Sequence, residues 1–250
     1  MKKIALRFLI ILPYYKRPNM VLNALHSIAN LTYDNWHLAF IDDSGDDSFK
    51  DTLLNYGLDN SKVTYIPTYD TDEYKKSIGG SRHGHFMNEA IQTIPSDVYI
   101  ILCDDDALVP TYLTDLNTFY QNNPTCSWAY SKVYFFDPSI EYYFNGSATP
   151  SIVHPGSTYT LNMYDEPIIP MGKVDSSQIT FRTQAFLDNN IQYAYPQTRG
   201  LDSYIFGKFI ECCGLCQPTG VFGQYKGAFP DQLGNRFASD NSSEFSIQND

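Results

Sequence analysis

The sequence predicts an α/β protein with a mostly parallel central sheet flanked by helices, followed by a smaller mixed region. Three observations carry this prediction. Apolar runs of strand length alternate with helix-periodic segments through the first 120 residues or so, the pattern of repeated βαβ units. Two of those runs end in acidic clusters, Asp42-Asp43 and Asp104-Asp105-Asp106, and parallel sheets bind ligands at the carboxyl ends of their strands. Further on, strand-like segments are split by a long stretch rich in Pro, Gly, Ser and Thr, residues 145–173.

The elements follow in order. Leu6 to Leu12 reads as the first strand. Met20 to Leu31 places Val21, Leu25 and Ile28 on one helical face, with Pro18 and Asn19 marking the start. His37 to Ile41 is a second strand, Asp47 to Tyr56 a helix with acids in its first turn, and Val63 to Ile66 a third strand ended by Pro67. After Gly79-Gly80-Ser81 comes a helix carrying Phe86, Met87, Ala90, Ile91 and Ile94. Val98 to Cys103 is the fourth strand, and a helix begins near Pro110. In the second half, Ser127 to Phe136, Glu141 to Phe144 and Ser177 to Phe181 read as strands, and Leu201 to Cys212 as a helix. The stretch 145–173 has the length of a lid or binding loop, and the residues from 231 onward are polar.

Composition narrows the function. With 28 acidic and 17 basic side chains the formal net charge is −11, which offers no basic face for a duplex nucleic acid or an anionic membrane. The N-terminus has lysines before an apolar run, like a signal peptide, but Arg7 interrupts it and Tyr14-Tyr15-Lys16-Arg17-Pro18 follows, so it reads as a buried strand. No run approaches the ~18 apolar residues of a membrane span. Cys212, Cys213 and Cys216 lack a fourth ligand at zinc spacing. These features lead to the expectation of a cytoplasmic protein.

The triple aspartate is the main chemical signal. Three adjacent carboxylates repel one another unless a cation sits among them, and oxygen ligands suit Mg²⁺ or Mn²⁺. The plainer alternative is a solvated loop capping the helix near Pro110. A second acidic pair at a neighbouring strand end favours a nucleotide, with one cluster for base or ribose and the other for a phosphate-bound metal.

Taken together, the pieces resemble glycosyltransferase family 2, with its GT-A fold. Pro13-Tyr14-Tyr15-Lys16-Arg17-Pro18 is similar to the family's loop after strand one, and Asp42-Asp43-Ser44-Gly45 to its Asp-Asp-Gly-Ser signature with the last two residues exchanged. Gly79-Gly80-Ser81-Arg82 resembles its Gly-rich helix start, and Asp104-Asp105-Asp106 fits the Asp-x-Asp motif. Gly200-Leu201-Asp202 is similar to the segment of the catalytic base, with Leu201 where the family usually has an acid.

The resemblance implies a Rossmann-like GT-A domain over residues 1–230, with a nucleotide-sugar half at 1–120, an acceptor half at 121–230 and a polar tail at 231–250. It implies a metal-dependent inverting transfer from a nucleoside-diphosphate sugar, UDP by default, to a hydroxyl of a glycan or another acceptor. Asp106, or Asp105 in a variant arrangement, would hold Mn²⁺ or Mg²⁺, and Asp104 would face the ribose or the metal. Pro13, Tyr15, Arg17, Asp42, Asp43, Arg82, Asp104 and Asp105 would line the nucleotide. Asp202 would be the base, with Asp175 as its rival. No histidine follows His154, so a late histidine ligand, present in some related enzymes, is absent or is His154. A nucleotidyltransferase and a non-catalytic binding module on the same fold are the competing classes.

Overall fold

A computed structural model of the chain describes residues 5–45, 47–68, 82–136, 165–171, 173–193 and 201–227. The described strands form one eight-stranded sheet in the order β3-β2-β1-β4-β7-β6-β8-β5. The strands are β1 (Phe8–Tyr14), β2 (Trp36–Asp42), β3 (Val63–Pro67), β4 (Val98–Ile101), β5 (Asp106–Leu108), β6 (Trp128–Phe136), β7 (Ile179–Arg182) and β8 (Gln217–Gly227). The helices are α1 (Pro18–Ala29), α2 (Lys50–Leu54), α3 (Arg82–Thr93), α4 (Tyr112–Asn122), α5 (Thr183–Asp188) and α6 (Leu201–Cys213).

The first four strands run parallel, with β1 central between β2 and β4. Side chains alternate across a strand, and β1 shows it. Leu9 and Ile11 join a core with Met87, Ile91, Phe181 and Phe209. Phe8, Ile10 and Leu12 join the opposite core with Val21, Leu25, Tyr112 and Leu116. Burial on both faces explains why these strands are apolar throughout rather than alternating.

The second half is mixed. β7 pairs antiparallel with β4 and β6, β8 runs parallel to β6, and β5 pairs antiparallel with β8. Gly223 of β8 is pressed on α4, where a Cβ would lie 2.6 Å from the Tyr112 ring. On the same side of the sheet Ser27 of α1 links to β5. Its hydroxyl donates to the Ala24 carbonyl at 2.7 Å and accepts the Leu108 N–H at 2.9 Å.

Several expected boundaries shift. β1 starts two residues later than expected, at Phe8, and runs to Tyr14. The helix expected over Asp47–Tyr56 shrinks to α2, because Asp47 has a left-handed φ of 53° and breaks the first turn. β4 stops at Ile101, before a turn in which the Asp106 N–H meets the Cys103 carbonyl at 3.1 Å. The strand expected from Ser177 begins as a 3₁₀ turn, Ser176–Gln178, because Asp175 and Gln178 form a reciprocal capping box. β5, α5 and β8 were not expected. The strand expected at Glu141–Phe144, most of the loop 145–173, Gly79-Gly80-Ser81, His154 and the tail 231–250 lie outside the described residues.

Candidate active site

The parallel register brings the acidic clusters to one edge. Tyr14 pairs with Asp42, and Asp42 with Pro67, at the carboxyl ends of β1, β2 and β3. Ile11 pairs with Ile101, and the Leu102 N–H bonds the Ile11 carbonyl at 2.9 Å, so the triple aspartate leaves the sheet beside the loop after β1. In that loop Lys16 takes a left-handed φ of 52°, and the turn sets Arg17 against the acids.

Arg17 binds two of them. It donates to both oxygens of Asp104, with Nε at 3.1 Å from Oδ2, and Nη1 reaches Asp105 Oδ2 at 2.8 Å. The Tyr15 N–H adds a bond to Asp104 at 3.3 Å. Burial pushes the Asp104 carboxyl up to about 6 although Arg17 opposes the shift.

Asp106 is held separately. Its side chain is fully buried, and Oδ2 lies 3.3 Å from Lys226 Nζ. Its Oδ1 is buried with no hydrogen-bond partner. A buried lone oxygen of an acid is costly unless something else satisfies it. Burial pushes this carboxyl up to about 7, with Lys226 lowering it and Asp105 and Asp175 raising it.

One potential ligand atom each from Cys103, Asp105 and Asp106 lies within 4.8 Å of the others. Burial raises the Cys103 thiol well above its ordinary range, and sulfur is a soft ligand, so the carboxylates are the ligands that match a hard cation. The structure thus brings Asp105 close to Asp106, while Arg17 holds both Asp104 and Asp105.

Asp42 and Asp43 lie at the end of β2, nearly covered. Asp42 accepts the Ser44 N–H at 3.0 Å, and the Tyr65 hydroxyl lies 2.8 Å from it. Asp43 accepts the Thr68 hydroxyl at 3.0 Å and faces His83 Nδ1 at 3.3 Å. The His83 side chain is 47% exposed. Its place at the start of α3, beside the second acidic cluster, gives it a polar partner that its position in the sequence does not reveal. Pro13 is half-buried and Tyr15 largely exposed. Arg82 opens α3, and its side chain lies outside the described residues. A cleft of about 410 Å³ opens beside this loop, lined by Tyr14, Lys16, Pro18, Leu22 and Phe49 among others. No carboxylate lines it, so it is an annex to the acidic edge rather than its centre.

The two candidate bases differ in environment. Asp175 accepts the Ser177 N–H at 3.0 Å and lies 3.2 Å from Lys226. Crowding by protein disfavours its charge, but Lys226 and the Ser177 bonds outweigh that and hold the carboxyl below its ordinary range. Asp202 sits in the first turn of α6 and reaches solvent. Surrounding protein and the charge of Asp175 push it up to about 6, while a hydrogen bond from Ser176 pulls the other way. A group poised near neutrality is the better proton acceptor.

The family model for glycosyl transferase family 2 matches residues 9–206, and the chain belongs to that family. Its α/β domain has the GT-A fold of that family. Solved structures of S. aureus TarS share the fold at 16% sequence identity. One TarS structure has a TM-score of 0.60 and is matched over 90% of this chain and 37% of its own. Its 1–349 fragment was solved with UDP (TM-score 0.61, 90% of this chain, 61% of that one) and with UDP-GlcNAc (TM-score 0.62, 89% and 59%). The chain thus spans less than two thirds of these structures. No curated protein matches the chain significantly. Among the described residues no helix is long and apolar enough to cross a membrane.

Proposed function

We propose that this chain is a metal-dependent inverting glycosyltransferase that moves a sugar from a nucleoside-diphosphate sugar, a UDP-sugar by preference, to a hydroxyl of a glycan or another acceptor. The observation that carries the metal reading is the orphaned, buried Oδ1 of Asp106 next to Asp105. The UDP and UDP-GlcNAc complexes of the similarly folded TarS support the choice of nucleotide. In this reading Asp106 and Asp105 hold Mn²⁺ or Mg²⁺, and Asp104 keeps Arg17 beside the phosphates. A divalent cation supplies Lewis-acid stabilisation of the charge that develops on the leaving diphosphate.

The chain's own residues do the rest. Arg17, with its planar fork of donors, is suited to charge-assisted contacts with phosphate oxygens. Asp42 and Asp43 mark the nucleoside end of the site, with Pro13, Tyr15 and Arg82 around it. Asp202 accepts the proton of the acceptor hydroxyl as that oxygen bonds to the anomeric carbon. The bond from that carbon to the diphosphate oxygen breaks and the nucleoside diphosphate leaves, so a single displacement inverts the centre. Asp175, tied to Lys226 and Ser177, orders the segment below Asp202. The reading extends to a cytoplasmic enzyme of polysaccharide biosynthesis, with one domain over 1–230.

The test is thermal stabilisation by UDP, GDP, dTDP and CDP, each with Mn²⁺ and with EDTA, followed by turnover of the matching nucleotide sugars. A ligand at 100 times its dissociation constant stabilises by ~2.7 kcal/mol. The expected result is a shift with UDP that EDTA abolishes. Equal shifts with and without Mn²⁺ would remove the metal from the mechanism.

A further inference from the structure

Each carboxylate assigned above to the cation already carries a resident positive group. Asp105 accepts from Arg17, and Asp106 faces Lys226. The second of these pairs is imposed by the fold. Asp106 and Lys226 are direct partners in the antiparallel register of β5 and β8, and directly opposed residues project on the same side of a sheet. The lysine is also tied down elsewhere. Its Nζ lies 3.2 Å from Asp175 Oδ2 and 3.2 Å from Ser177 Oγ. Three acceptors and a strand register leave the ammonium no simple path away from Asp106. Meanwhile Asp106 Oδ1 stays buried and unpartnered.

We infer that Lys226 is a built-in competitor of the divalent cation at Asp106, and that it makes cation binding wait for the anionic donor. This rests on the metal-dependent reading above and names the residue that governs it. A dication arriving at Asp106 meets a fixed like charge on the same carboxyl group, in a part-buried place where salt screens little. The protein alone therefore holds the ion weakly. A diphosphate brings further anionic oxygens, which offset the surplus positive charge and supply additional ligands. Cation and donor then bind as one unit. Lys226 remains near the diphosphate as a second positive group.

The experiment is a Mn²⁺ titration of the full chain, read as loss of the free-ion EPR signal, with and without UDP. The proteins are wild type, Lys226→Met, Lys226→Gln and Lys226→Arg. Wild type is expected to bind Mn²⁺ about tenfold or more tightly when UDP is present. Lys226→Met and Lys226→Gln are expected to bind Mn²⁺ alone about tenfold more tightly than wild type, because like-charge repulsion is gone, and Lys226→Arg to match wild type. A folding defect weakens binding, so tighter binding cannot come from damage. Affinity for Mn²⁺ alone that is unchanged or lower in both neutral variants, with folding verified by circular dichroism, overturns the inference. Mn²⁺ bound by none of the four proteins even with UDP overturns the metal-dependent reading itself, and the inference falls with it.

Discussion

Asp106 and Lys226 face each other across two antiparallel strands, 120 residues apart in sequence, with the ammonium 3.3 Å from one carboxylate oxygen. The other oxygen of Asp106 is left without a partner. This asymmetry distinguishes the three adjacent aspartates, which their sequence alone presents as equivalent.

Asp106→Asn is therefore expected to be the most damaging of the three amide substitutions. The proposed cation loses a charged ligand, and kcat/KM should fall by about 10²–10³-fold, the scale of losing one major electrostatic contact. Asp104→Asn, which disturbs Arg17 instead, should act more on KM for the donor. Steady-state kinetics with a UDP-sugar separate the two. Equal profiles for both variants would contradict the division of labour.

The pH profile of wild type should report Asp202. A base acts only when deprotonated, and this carboxyl is pushed up to about 6. The rate should fall about tenfold per pH unit below pH 6 and level off above it. Asp202→Asn should lose about 10²–10⁴-fold and flatten this limb. Asp175→Asn should lower the rate but keep the limb, since Asp175 is held by Lys226 and Ser177. A limb lost in Asp175→Asn would exchange the two roles.

Stability of the metal-free protein should rise as the pH falls from 8 towards 6. Asp106 is pushed up to about 7, and Asp104 and Asp202 to about 6, against an unfolded carboxyl value of about 4. A folded state with raised carboxyl values binds protons more tightly than the unfolded chain. Protonation thus favours the fold, and this contribution is lost as the pH rises through 7. Mn²⁺ with UDP favours the charged carboxylates and should flatten the trend. Urea midpoints at pH 6, 7 and 8, with EDTA or with Mn²⁺ and UDP, measure it. Rising stability towards pH 8 in EDTA would contradict the burial argument.

Ser27→Ala should destabilise the protein although Ser27 is far from any proposed chemistry in sequence. It strands the buried Leu108 N–H, two residues after Asp106, at a cost of ~1–3 kcal/mol. For a chain of this size that is roughly 2–12 °C in Tm. Differential scanning fluorimetry decides it, and an unchanged Tm would mean that water or another acceptor replaces the hydroxyl.

The parallel half was legible because its strands are dense apolar runs, two of which, β2 and β4, lead into acidic clusters. Strand polarity alone places Asp42 and Asp104 at one edge of the sheet, and the structure has them there. The second half was harder for a physical reason. β8 carries Pro218, Gly220 and Gly223 within its span, which dilutes the strand pattern, yet Gly223 is needed for contact with Tyr112. β5 has only three residues and begins inside the acidic motif, so a local reading sees a loop. The partition of the triple aspartate between Arg17 and Lys226 depends on pairing across 87 to 120 residues. No spacing within the motif encodes that.

The pairing of β5 with β8 also bears on how the molecule is made. A chain emerging from the ribosome exposes Asp106 first and its lysine 120 residues later, an interval of roughly 6–24 s at ordinary elongation rates. Through that interval the nascent acidic edge has Arg17 but not Lys226. Non-local closure of this kind is slow to form. The earlier strands can collapse around their apolar faces first, and the acidic edge gains its lysine only when β8 docks.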